Sequence, residues 1–312
     1  MDVAAFAKDH VPQITAVVAL VSYGIARNKF TPGGLVAGVL VSIIHMLHPW
    51  PVFFWLLTVF VFLGTLVTKV GHAAKSHLTQ SSTGGSGGEA SRSAAQVFAN
   101  SGFACILVGL HLYLLASTPF ISSNLPIAPG PHAPRLQKLL PIGIIAQYAA
   151  VAADTFSSEL GILAQSEPFL ITAPWKRVPK GTNGGVTVEG LIYGGLGSLL
   201  LTLVAILYLY GYAPGIAMNE KTAGMLVFIG LMGSVIDSLL GALVQATVTD
   251  RKSGKVVEGP GGQRVKVAEG GGRLQIGSDL LTNNGVNFVM AALTSMLAMG
   301  VAHVLGFELS SR

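Results

Sequence analysis

Asp154, Glu159 and Asp237 lie in stretches otherwise apolar enough to cross a bilayer. A carboxylate in hydrocarbon is costly unless something pairs with it, so residues of this kind mark functional sites by default. On a helix, Asp154, Ser157, Ser158 and Gly161 share one face, while Glu159 lies roughly 140° from Asp154 at about 100° per residue. Asp237 and Gly241 also share a face; Ser238 follows Asp237, and Gln245 continues a polar strip one turn on. Carboxylates near phosphates hold Mg²⁺, which takes one or two carboxylates together with waters and substrate oxygens. Asp154, Glu159 and Asp237 are therefore the candidate metal ligands, and Asp154 and Asp237 the candidate catalytic pair.

Groups suited to oxyanions stand nearby in the sequence. The loop Lys176–Thr187 holds Lys180, Gly181, Thr182, Asn183, Gly184 and Gly185 just before an apolar stretch. Backbone N–H groups at a helix start, beside a lysine, suit a phosphate; the same glycines would equally serve a tight turn that needs positive φ. No Walker A pattern is present. Residues 82–88 read as a flexible Gly/Ser linker, after which Arg92, Gln96 and Asn100 recur every four residues as one helical face lining a cavity. The Arg92 fork suits oxyanions. Asn283 and Asn287 share a face at the head of the last apolar stretch, with Asn284 between them; Thr282 or Asn283 would also serve as a helix cap. Lys69 and Lys75 follow the third apolar stretch, as interfacial anchors or, for Lys69, as a phosphate contact. The eight histidines show no zinc-type pairing, and the single Cys105 excludes an intramolecular disulfide and a cysteine metal site.

Elements that could position such groups follow from composition. Only 11% of the 312 residues are charged and 51% are apolar, far from the soluble norm of about 25% charged. The expected fold is an all-α polytopic integral membrane bundle, a single domain over 1–312. Eight spans are predicted, at 10–27, 33–48, 50–70, 94–117, 139–163, 185–211, 222–247 and 284–306. The second is short and could be re-entrant. The segment 250–279, rich in Gly with alternating Val and Lys, reads as a cytosolic loop or small hairpin inserted into the domain.

Sorting the 19 basic residues by side of this eight-span chain gives 14 on one side and 5 on the other. Basic residues gather in cytoplasmic loops, so both termini are expected lumenal or outside. All the polar candidates then converge on the cytosolic ends of the spans. No signal peptide is evident. The net charge of +5 is spread over loops beside a membrane, which favours anionic lipid headgroups and nucleotide over nucleic acid as partners. Gly194, Gly195, Gly197 and Ser198 form a small-residue face suited to a homodimer.

Five ordered segments carry a resemblance over nearly the whole chain: Ala153–Gly161, Glu167–Thr172, Val178–Val186, Gly233–Ala242 and Asn283–Asn287. They are similar to the signature segments of the transmembrane protein 19 family, whose plant relatives include phytyl-phosphate kinase. The resemblance implies an endomembrane enzyme, such as one of the endoplasmic reticulum, that converts an isoprenyl monophosphate to its diphosphate with Mg²⁺ and CTP or another nucleoside triphosphate. Asp154 and Asp237 would hold the metal, while Arg92, Lys180 and the 181–185 backbone would stabilise the transferred group. Phosphoryl transfer needs mainly positioning and charge stabilisation, so no covalent nucleophile is required. A transporter or scramblase of phosphorylated lipids and a CDP-lipid-forming cytidylyltransferase are the alternatives.

Overall fold

The computed structural model describes residues 3–82, 91–116, 133–212 and 216–311. The glycine linker expected at 84–88 lies outside them. Helices α1 (Val3–Asp9), α2 (Val11–Ala26), α3 (Pro32–Met46), α4 (Val52–Lys69) and the single turn α5 (His72–Lys75) come first. After strand β1 (Gln80–Ser81) follow α6 (Ala94–Ala116) and α7 (Ala133–Gly161). Strands β2 (Phe169–Leu170), β3 (Ala173–Arg177) and β4 (Gly185–Val186) lead into α8 (Val188–Tyr212), then β5 (Ile216–Met218) and α9 (Glu220–Val244). Strands β6 (Thr247–Asp250), β7 (Val257–Glu258) and β8 (Arg273–Ile276), with a 3₁₀ turn at Pro260–Gly262, precede α10 (Asn283–Leu305) and β9 (Leu309–Ser311).

Every predicted span is a helix. Six of them, α4 and α6 to α10, are long and apolar enough to cross a membrane. The other two, α2 and α3, have 16 and 15 residues, or about 23 Å at 1.5 Å per residue, short of a hydrocarbon core of about 30 Å. Helix α3 is continuous: Thr31 caps it by accepting from the Gly34 amide at 3.1 Å, and Pro32 occupies the first turn where its missing N–H costs no bond.

Helix α7 is the axis of the bundle, packed against α4, α6, α8, α9 and α10. Its stretch 140–153 is apolar but for Gln147 and buried throughout, as expected of a helix enclosed by others. Close approach to its neighbours depends on small residues. A Cβ built on Gly161 would lie 2.9 Å from the Gly190 Cα, and one on Gly197 2.6 Å from the Ala152 carbonyl oxygen. Ser198 donates to the Val227 carbonyl of α9 at 2.9 Å. The small-residue face expected to serve a homodimer is therefore occupied inside the bundle at Gly194, Gly197 and Ser198; only at Gly195 would a Cβ meet nothing within 4 Å.

The helices alternate in direction, which sorts their ends. At one end β5 pairs with β9, tying the chain after α8 to the chain after α10. At the other end lie the small sheets and the polar candidates. The expected insertion is a hairpin, but with different strands: β6 pairs antiparallel with β8 from Thr247–Ile276 to Asp250–Arg273. The alternating stretch at 255–258 instead joins β1 in parallel, Gln80 opposite Val257, and 263–268 forms no strand. Its side chains alternate, and its backbone is held from two sides: the amides of Gln80 and Ser82 donate to the carbonyls of Val256 and Glu258 at 2.9 Å each, and the Asp250 amide of the insertion donates to the Lys255 carbonyl, also at 2.9 Å.

Candidate functional site

A cavity of about 680 Å³ opens at the polar end of the bundle. It collects Asp154 and Ser158 from α7, Asp237 and Ser238 from α9, Gln245 just past α9, Gln96 and Asn100 from α6, and Asn283, Asn284 and Asn287 from α10. Arg92 and the loop 180–185 complete its wall. Nearly every polar residue singled out from the sequence lines this one space.

The two central carboxylates sit on neighbouring helices that cross closely: a Cβ on Gly233 of α9 would come within 2.5 Å of the Ala150 Cβ of α7. Asp154 and Asp237 are near enough for their charges to interact. The Asp237 Oδ2 is buried with no hydrogen-bond partner among the described residues, and a carboxylate oxygen left so is held at a cost unless a cation or donor meets it. Two carboxylates, one with an open oxygen, fit the one-or-two-carboxylate habit of Mg²⁺ beside phosphate oxygens.

Glu159 lines the same cavity but is already engaged by a cation. Its Oε2 accepts from Lys75 Nζ at 2.7 Å, and the same ammonium donates to the carbonyls of Val67 and Thr68 at the end of α4. Glu159 is thus a tether between α7 and α4, and among the described residues no three His, Cys, Asp or Glu side chains form a metal-sized cluster. Lys75 was not singled out as a site residue, yet it lines the cavity, whereas Lys69 does not; the Lys69 ammonium lies 5.2 Å from the ring centroid of Tyr23. The turn between α4 and α5 reverses the chain at Gly71, which has φ 61°, and carries Lys75 back toward α7.

Arg92 precedes α6 instead of belonging to it, so the helical strip holds only for Gln96 and Asn100. The Arg92 backbone bridges to Phe30: its amide donates to the Lys29 carbonyl and its carbonyl accepts from the Thr31 amide. From there its guanidinium reaches α4, where a Cβ on Gly64 would lie 3.5 Å from Nη2 and 3.8 Å from the Thr155 methyl. Arg92 and Asp154 thus line the same cavity. Gln96 caps α6, its Oε1 accepting from the Ser93 amide while Ser93 Oγ accepts from the Gln96 amide, a reciprocal capping box. Asn100 Oδ1 accepts from Asn287 Nδ2 at 3.4 Å, linking α6 to α10. Thr282, not Asn283, caps α10, accepting from the Gly285 amide.

The glycine loop is more structural than its sequence suggests. Gly181 and Gly184 have φ of 85° and 78°, conformations for which glycine is suited. The amides of Thr182, Asn183 and Gly185 are already bonded, to Pro179, Thr247 and Thr182. Strand β4 and the cap Thr187, which accepts from the Gly190 amide at 3.0 Å, separate the loop from α8. Lys180 remains at the cavity wall, donating to the Ala164 carbonyl; an ammonium has three donors, so this bond leaves capacity for an anion.

Two further features line the cavity. The segment 256–265, within the insertion, does so, with Asn284 Nδ2 donating to the Gly261 carbonyl at 3.0 Å and Glu258 among its lining residues. Surrounding protein holds the Glu258 carboxyl above the ordinary carboxylate range, partly offset by the Thr79 hydroxyl, with Glu159 adding to the rise. The cavity also extends away from its polar end along Val17, Leu20 and Val21 of α2, Leu35 and Val39 of α3, and Leu57 and Val61 of α4.

The chain is similar over most of its length to Protein PGR of Arabidopsis thaliana, with 35% identity over 289 residues, 91% of this chain and 92% of that protein. Shorter matches reach an uncharacterized membrane protein of Methanocaldococcus jannaschii, 43% identical over 33% of this chain and 40% of the relative. Another, of Synechocystis, is 31% identical over 35% of this chain and 39% of the relative. No solved structure matches. The family described as integral membrane protein DUF92 matches residues 15–295, and the chain belongs to that family.

Proposed function

We propose that this protein is a membrane-embedded phosphotransferase that uses CTP or another nucleoside triphosphate to convert an isoprenyl monophosphate to its diphosphate. One observation carries the reading: a single cavity joins the carboxylates, Arg92 and Lys180 to an apolar arm between helices. A substrate with an anionic head and a hydrocarbon chain matches both parts at once. In this reading the head lies at the polar end and faces the cytosol of an endomembrane, where nucleotide is available; the gathering of basic residues in the loops of that end supports the orientation.

The transfer needs an oxygen of the lipid monophosphate to attack the γ-phosphorus as the bond to the β–γ bridging oxygen breaks, leaving the nucleoside diphosphate. Charge stabilisation and alignment are the main requirements. Asp154 and Asp237 would hold Mg²⁺, which supplies neutralisation of the phosphate charge. Arg92, with its planar fork, would clamp oxygens of the transferred group, and Lys180 would contribute a point charge from the opposite wall. Glu159 has a positioning role, keeping the last turn of α7 against α4.

A transporter would need a polar path to the opposite face. Beneath the cavity the bundle is packed around His45, Tyr148, Phe53 and Leu56, all fully buried, which supports an enzyme. The test is a product assay on protein purified in detergent, with Mg²⁺, radiolabelled CTP or ATP and isoprenyl monophosphates, beside Asp237→Asn. Label entering a diphosphate, and lost in the variant, supports the reading. Label entering a CDP-lipid would replace it with a cytidylyltransferase, and no turnover with any lipid would overturn it.

A further inference from the structure

The apolar arm ends at one level on three helices. Its deepest lining residues are Val17 on α2, Ser42 on α3 and Leu57 on α4. One turn further along α3, His45 Nδ1 donates to the Val41 carbonyl at 2.8 Å, so Nε2 of the neutral ring accepts from the Tyr148 hydroxyl at 2.7 Å. Both side chains are fully buried and neither lines the cavity, so the arm stops short of this bonded pair. Ser42 adds no unpaired donor, because its hydroxyl bonds the Gly38 carbonyl at 2.8 Å.

The arm therefore has a definite depth. From Gly34 to Ser42 it follows α3 for about 12 Å, and from Thr68 to Leu57 it follows α4 for about 16 Å, at 1.5 Å per residue. An extended chain of roughly three isoprene units spans that distance at ordinary carbon–carbon bond lengths. Gly38 stands one helical turn above Ser42 on the same face and lines the arm; a Cβ there would meet nothing within 4 Å.

Resting on the reading that the ligand is a lipid monophosphate, we propose that the arm is a chain-length gauge, with its floor at Ser42 and Leu57 and its bore set by Gly38. Hydrocarbon up to roughly three isoprene units is buried in the arm, and further units gain no contact within it.

The experiment measures binding of geranyl, farnesyl and geranylgeranyl monophosphate by native mass spectrometry in detergent, for the wild type, Gly38→Leu and Val36→Leu. Val36 is 61% exposed on the outward face of α3 and serves as control. The wild type should gain at least about tenfold in affinity from geranyl to farnesyl and little beyond, since each buried carbon adds to affinity. Gly38→Leu fills about one turn, so its affinity should level off at geranyl. Leucine also favours helix over glycine, so this variant should fold. A wild-type affinity that keeps climbing through geranylgeranyl, a Gly38→Leu profile superimposed on wild type, or an equal shift in Val36→Leu would overturn the gauge. Binding without transfer in the product assay would remove the phosphotransferase reading and leave the gauge to be judged on these profiles; no binding at any length would remove both.

Discussion

Lys75 and Glu159, 84 positions apart in the chain, form a 2.7 Å ion pair that joins the turn after α4 to the last turns of α7. The lysine side chain is 12% exposed and the glutamate 30%, so the pair is only partly screened by solvent. Lys75 further donates to the Val67 and Thr68 carbonyls at the end of α4, the first of which also accepts from the Val70 amide. Removing it takes the donor from the Thr68 carbonyl and from the Glu159 carboxylate, whereas Glu159→Gln keeps a neutral acceptor. Lys75→Ala should therefore lower stability by about 2–3 kcal/mol and Glu159→Gln by about 1 kcal/mol. Thermal unfolding in detergent gives this order. Because Glu159 is a tether, its glutamine variant should retain the Mg²⁺ dependence of turnover that Asp154→Asn and Asp237→Asn lose.

Gly184 carries two independent demands. Its φ is 78°, and a Cβ there would lie 2.4 Å from the Ala242 Cβ and 2.9 Å from the Ser238 carbonyl oxygen. Backbone strain and overpacking each cost about 1–3 kcal/mol. Gly184→Ala should be destabilised by about 3 kcal/mol, and adding Ala242→Gly should recover only the clash with the Ala242 side chain, since the backbone contacts at 2.9 Å remain. Full recovery would mean that the positive φ contributes nothing.

This loop also marks where the sequence stopped being readable. The apolar helices were legible because hydrophobic length is a local property, and the carboxylates were legible because they interrupt it. The glycines at 181–185 were ambiguous between anion cradle and turn; the contact that decides, Gly184 against α9, is tertiary. Lys69 drew attention for ending a predicted span, while Lys75 acquires its role from the reversal at Gly71. Arg92 fell outside its expected helix because its backbone pairs with Phe30, 62 positions earlier, and no local pattern announces such a bridge. Two-residue strands such as β7 likewise take their register from whatever segment lies beside them.

Glu258 gives a pH signature. Its carboxyl is raised in the folded protein, mainly because surrounding protein disfavours the charged form, although the residue is exposed on its strand and solvent screening keeps the effect on stability small. The folded state thus binds the proton more tightly than the unfolded chain does, and stability falls as pH rises from the unfolded carboxylate range through the raised folded value. Glu258→Gln removes this penalty. The variant should match wild type in melting temperature near pH 4 and exceed it at pH 7 to 8; a constant offset across that range would refute the assignment.

The histidines of the opposite half form a buried pair: His48 Nε2 lies 2.9 Å from His111 Nδ1, with the rings stacked. His48 Nδ1 accepts from the Trp50 amide, also at 2.9 Å. One ring must donate to the other, so the pair is satisfied with both rings neutral. Neither residue lines the cavity, which makes the pair a packing device that fixes the chain after α3 against α6. His111→Leu should orphan His48 Nε2 and cost about 1–3 kcal/mol. His48→Leu should cost more, because it strands the Trp50 amide as well as the His111 nitrogen. The double variant should be less destabilised than the sum of the two, since each single change already breaks the shared bond. Turnover per folded molecule should stay unchanged in all three, and a loss of activity without a loss of stability would assign this pair to the chemistry instead.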